Sequence, residues 1–122
     1  MDEFKRVLNH DGFLLLTCPD LQSVCKLVAD DLLCEPAYQS GMGPISPLDI
    51  LYGHRASLKQ GNLYMAHRCG FTKRVLSQTL AASGFSCMVR SRPSHFDLWA
   101  LGVLNSDKAT ERLQSLSSRY FP

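Results

Sequence analysis

The run Phe13-Leu-Leu-Leu-Thr-Cys18, held between Gly12 and Pro19, constrains this chain more than any other stretch. It is apolar at odd and even positions alike, the pattern of a strand covered on both faces, and Pro19 ends it. A second apolar run, Phe96–Leu104, suits a central strand. Phe85–Arg92 precedes it, and Arg92-Pro-Ser-His95 joins the two as an antiparallel hairpin. The expectation is an α+β fold, a truncated α/β arrangement. It has a small mixed three-stranded sheet (Phe13–Cys18, Phe85–Arg92, Phe96–Leu104) packed with four to five helices.

Helical periodicity supplies those helices. Asp2 is placed to cap a short first helix with Phe4, Val7 and Leu8 on one face, and Gly12 closes the turn after it with a positive φ. Asp20 caps a second, with Leu21, Val24, Cys25, Val28 and Leu32 as its apolar stripe. Ser46-Pro-Leu-Asp49 is a capping box with proline at the first helical position, and Gly53 closes the short helix it opens. Thr72 caps a helix that presents Val75, Leu76, Thr79 and Leu80 inward and stops at Gly84. Asp107 caps the last, with Ala109, Leu113, Leu116 and Tyr120 on its apolar face. Between Glu35 and Gly70 the chain is irregular and rich in glycine and proline. Long ordered loops of this kind tend to carry function, so a binding role is expected here.

Composition narrows the class. The 122 residues are 45% hydrophobic and 20% charged. A chain of this size buries about two thirds of its unfolded surface, enough for one core, so residues 1–122 are expected to form one domain. Thirteen Lys and Arg against eleven Asp and Glu give a formal charge of +2, too little for a polyanion partner. Arg68, Lys73, Arg74, Arg90 and Arg92 are scattered and lack interleaved stacking aromatics, so no nucleic-acid partner is expected. The apolar runs are too short to span a bilayer, and the charged opening Met1–Arg6 is no signal peptide.

Cys18, Cys25, Cys34, Cys69 and Cys87 make an odd count without a C-x-x-C pair. Reduced thiols in a cytoplasm are the expected state, with Cys25 and Cys87 behaving as small core residues. His54, His67 and Cys69 lack the tight ligand pairs of structural zinc sites, so no metal is expected. No Ser or Cys sits in an elbow-like glycine context, so no nucleophile is apparent.

The order of elements resembles the C-terminal half of class I S-adenosylmethionine-dependent methyltransferases. Arg6-Val-Leu-Asn-His-Asp-Gly12, leading into Phe13–Leu16, is similar to the family's helix end, glycine turn and fifth strand. Asn-His-Asp-Gly stands where that family usually has Lys-Pro-Gly-Gly. Leu80-Ala-Ala-Ser-Gly-Phe85 is similar to the end of its next helix. The hairpin is similar to its reversed sixth and seventh strands, with the seventh inserted antiparallel between the fifth and sixth. More narrowly, Cys18–Leu21, Pro47–Gly53, Met65–Thr72 and Phe96–Ala100 resemble a bacterial group of predicted methyltransferases often placed near surface-polysaccharide genes. The likeness covers Glu3 to about Asn105.

In that family the N-terminal half binds the cofactor, through a glycine-rich loop after the first strand and an acid ending the second. No G-x-G is expected to follow a strand in this chain, Gly41-Met-Gly43 being the nearest thing to one. The resemblance therefore implies a truncated, methyltransferase-like protein with no cofactor of its own and no independent catalysis, surviving as a binding or assembly module or as a gene remnant. Half of a split enzyme, in which a partner chain supplies the S-adenosylmethionine-binding half, is the second reading. An unrelated small α+β binding protein is the third.

Two expectations follow for surfaces. Without a fourth-strand neighbour, the Phe13–Cys18 strand would expose an apolar edge. A copy of the chain is expected to cover it in a homodimer, or the helix after Asp107 to cap it. A substrate pocket should lie at the carboxyl end of that strand, where open α/β sheets bind ligands. Thr17, Asp20, Tyr52, His54, Tyr64 and His67 are the substrate-binding candidates, with no catalytic residue assigned. His67 stands first among them, with the alternative duty of holding its loop against the Thr72 helix.

Overall fold

The main sheet is built from β1 (Leu14–Pro19), β4 (Phe85–Arg92) and β5 (Asp97–Leu104), in a computed structural model that describes residues 1–122. Its order is β1-β5-β4, with β5 antiparallel to both neighbours. The outer strands thus run the same way on either side of a reversed central one. The three expected strands are present, with β5 between the other two, but every pair is antiparallel where a mixed sheet was expected, because the central strand runs against both neighbours. Six helices accompany the sheet: α1 (Asp2–Val7), α2 (Leu21–Ala29), α3 (Pro47–Tyr52), α4 (Arg55–Lys59), α5 (Lys73–Ala82) and α6 (Ala109–Tyr120). A small antiparallel pair, β2 (Tyr38–Ser40) and β3 (Gly43–Ile45), lies inside the stretch read as irregular, so Gly41-Met-Gly43 does follow a strand, as the turn of a hairpin.

Strand alternation divides the main sheet into two faces. On one, Phe85, Val89, Leu98 and Ala100 meet Leu76 and Leu80 of α5, with Leu14, Leu16 and Cys18 packed against them. On the other, Leu101 and Val103 meet Ala109 and Leu113 of α6, joined by Phe13, Met88, Leu116 and Phe121. A third cluster, Val24 with Ile45 and Ile50, fastens α2 to the middle segment.

Several local expectations are corrected. Met1 holds the cap position of α1, so Asp2 falls in the first turn, and Phe4 and Val7 face solvent. Gly12 does not take a positive φ; its need is space, because a Cβ there would lie 2.3 Å from Leu8. β1 is not covered on both faces: Leu15 and Thr17 are exposed while Leu14 and Leu16 pack inward. Cys25 is exposed rather than part of the core. Lys108, not Asp107, occupies the cap position of α6, without a side-chain bond. That helix packs across β5 and β4, and so does not cap the edge of β1.

Where the sequence carries its own hydrogen-bond partner, the local expectation holds. Asp20 accepts from the Gln22 amide and Thr72 from the Val75 amide. The Ser46 hydroxyl accepts from the Asp49 amide and the Asp49 carboxylate accepts from the Ser46 amide, the reciprocal capping box of α3. Gly53 ends that helix at φ +103°.

Candidate functional site

At the carboxyl end of β1, Pro19, β2–β3, α3 and the loop after α4 surround a cleft of about 500 Å³. Tyr38, Met42, Ile45, Ile50 and Met65 give it apolar walls; His54, Ser57, Asn62 and His67 bring hydrogen-bonding groups. A neighbouring hollow of about 310 Å³ includes Thr17, Tyr38 and Trp99. Another, of about 370 Å³, runs from Thr17 and Cys18 to His67 and Cys69. Clefts of such size and composition are where small molecules bind.

The sequence builds this place from the α3 capping box outward. Asp49 is buried and accepts bonds from the Ser46 hydroxyl at 2.7 Å, the Arg55 amide at 3.0 Å and the Arg55 Nε at 2.9 Å. The Arg55 guanidinium beside it, followed by the Ser46 bonds, holds its carboxyl well below the usual range despite burial. The carboxylate therefore stays ionised and fully partnered, which fits a structural anchor better than an acid or base.

His67 is fixed from two directions. Its amide donates to the Tyr52 carbonyl at 3.1 Å, and its Nδ1 lies 2.8 Å from the Ile50 carbonyl. Both carbonyls belong to the last turn of α3, which has no intrahelical donors for them. The loop residue thus caps α3; it does not hold its loop against α5. Gly53 permits the approach, since a Cβ there would stand 1.9 Å from the Met65 carbonyl oxygen.

The structure brings His54 and His67 together in the larger cleft and places Thr17 in the two neighbouring hollows, one of which His67 also lines, while the other three candidates stand apart. Asp20 is buried, accepting from the Ser23 hydroxyl at 3.0 Å and from the Ser91 hydroxyl, so it ties α2 and β4 to the end of β1. Tyr52 and Tyr64 are exposed; Tyr52 borders a shallow hollow beside His67, and Tyr64 has its whole side chain in solvent. His54 shares a 2.8 Å hydrogen bond with Ser57, one helical turn away.

Four features of the site were missed from sequence. Tyr38, Met42 and Ile45 come from the β2–β3 hairpin, whose strands of three residues are too short to show alternation. The Gly41-Met-Gly43 turn was their one signal, and Gly43 takes φ +102°. The fourth is Asp97, bound by Arg92 Nε at 2.9 Å and by the Trp99 indole N–H at 3.2 Å. Burial raises the Asp97 pKa, and these donors outweigh it, leaving the carboxyl below its ordinary value.

The Cys18 thiol is held in its neutral form. Burial, followed by the charges of Asp20, Cys69 and Asp97, pushes the Cys18 thiol up to about 11. No cluster of three His, Cys, Asp or Glu side chains is arranged to hold a metal. No helix is long and apolar enough to cross a membrane. No family model, curated protein or solved structure matches this chain.

Proposed function

We propose that the protein is a methyltransferase-like binding and assembly module: it holds a ligand at the carboxyl end of β1 and neither binds S-adenosylmethionine nor transfers methyl groups by itself. The observation that carries the reading is the sheet order β1-β5-β4, with its cleft beyond the end of β1. In the doubly wound sheets that this chain resembles, ligands bind beyond the carboxyl ends of the strands. The carboxylates around it, Asp20, Asp49 and Asp97, are each engaged by protein donors, which favours binding over acid–base chemistry. Five unpaired cysteines support a cytoplasmic setting.

The assembly part rests on the outer edge of β1. The Asp20 amide donates to the Phe96 carbonyl, so alternation turns the amides of Leu14, Leu16 and Cys18 toward β5. Those of Leu15 and Thr17 then point outward, and Pro19 has none to offer. A second copy pairing along Leu15–Thr17 would satisfy both. The same edge favours a second reading, a split enzyme whose other chain adds a strand there.

Titration of S-adenosylmethionine and S-adenosylhomocysteine, read in the amide spectrum, tests the module reading. Neither should give saturable shifts, and specific binding of either would overturn it. Sedimentation tests the copy-on-copy edge. A dimer that Leu15→Lys dissociates is expected, whereas a monomer at all concentrations would leave the edge to a different chain.

A further inference from the structure

We infer that the cleft between α3 and the β2–β3 hairpin takes a neutral aromatic molecule carrying a hydroxyl group, received by Nε2 of His67. This inference rests on the binding-module reading above and assigns its ligand class.

A backbone carbonyl can only accept, so the 2.8 Å contact between His67 Nδ1 and the Ile50 oxygen requires Nδ1 to carry the proton. In the neutral imidazole, Nε2 is then an acceptor, and no protein donor meets it. His67 lines the cleft with an exposed side chain, so Nε2 faces solvent there and is open to a ligand donor in place of water.

Charge comes next. Asp49 is the one charged residue lining this cleft, and Arg55 and Ser46 occupy its oxygens. A ligand cation would find no free carboxylate, and a ligand anion no free guanidinium or ammonium on the walls. Neutrality follows.

The walls then suggest the ring. Met42 is 73% exposed, and Tyr38 and Met65 are exposed around the same hollow, an unusual concentration of large apolar side chains in solvent. Thioether sulfur packs favourably against aromatic edges, and Tyr38 is already stacked near Phe96 at 6.3 Å between centroids. A volume of about 500 Å³ accommodates two fused rings.

A matched pair of probes tests this: 2-naphthol, which donates a hydrogen bond, and its methyl ether, which cannot. Titrated into the native protein, 2-naphthol should shift the amides around Tyr38, Met65 and His67 saturably. It should bind about three- to tenfold tighter than the ether, the span of one net hydrogen bond. His67→Asn keeps an amide donor for the Ile50 carbonyl and deletes Nε2, so it should erase the preference and leave the rest of the spectrum in place. Absence of saturable binding by 2-naphthol, or equal binding of both probes to the native protein, would overturn the inference. The native pair decides the matter even if the variant misfolds. S-adenosylmethionine in a parallel titration separates the two failures: its binding sinks the module reading, whereas silence from the naphthol alone sinks this ligand class.

Discussion

Arg55 reaches back six positions to clasp Asp49, with its Nε on Oδ1 at 2.9 Å and its terminal nitrogen on Oδ2 at 3.2 Å. The clasp closes the start of α4 onto the start of α3, and the Ser46 hydroxyl is held in the same knot. One carboxylate therefore organises both helices that form the floor and wall of the cleft.

Its loss on acidification should be measurable. The folded Asp49 carboxyl titrates below its ordinary value of 3.8, so the folded state holds fewer protons than the unfolded one as acid is added. The contribution is complete above the ordinary value and is lost as the pH falls through the lower, folded one. Urea midpoints should therefore fall below about pH 4 in the native protein. Asp49→Asn should lie about 1–3 kcal/mol lower at pH 7 and show a shallower acid slope. Parallel profiles for the two proteins would contradict this account.

Gly53→Ala should disturb the site without touching a ligand-facing group. The residue holds φ +103°, and a methyl group there would collide with the Met65 carbonyl. A cost of about 1–3 kcal/mol is expected, with the His67 amide signal displaced. Gly41→Ala is the control: it has open space and no positive φ, so its melting temperature should stay near that of the native protein.

Thiol labelling should divide the cysteines into two groups. Cys25, Cys34 and Cys69 are exposed, whereas Cys18 and Cys87 are half-buried with raised pKa values. With its thiol near 11, Cys18 is ionised to only about a thousandth at pH 8. Mass spectrometry after brief iodoacetamide treatment should find three modified sites, and five only after unfolding. Five equal rates would overturn the arrangement.

The sheet gives the sharpest contrast in stability. Leu98 is fully buried against α5, and Leu98→Ala should cost about 3 kcal/mol. Leu15, 38% exposed on an edge strand, should lose under about 1 kcal/mol as Leu15→Ala. Denaturant midpoints of the two variants measure the difference.

What was legible from sequence was what carries its partner nearby. Ser46 and Asp49 stand three apart, Thr72 and Val75 likewise, and Asp20 sits two before Gln22; each pair shares one helix start. The hairpin of β4 and β5 was legible for the same reason. Of the candidate site, His54 and His67 were legible as neighbours of one cleft and Thr17 as part of the hollows beside it, but not the reason His67 is held. Its carbonyl partner lies 17 positions back, a distance no local pattern encodes. The leucines of β1 misled in an instructive way: an apolar run records what a strand can bury, and the neighbours that do the burying are set by tertiary packing. Here they cover Leu14 and Leu16 and leave Leu15 open.

The pairing of β1 with β5 also places the protein in time. Leu14 sits opposite Gly102, so the first strand leaves the ribosome roughly 4–18 s before its partner exists, at ordinary elongation rates. For that interval an uncharged leucine strand has two open edges instead of one. The nascent chain is then at its most vulnerable to aggregation, and yield in cells should depend on how fast synthesis runs and on what shields β1 until β5 arrives.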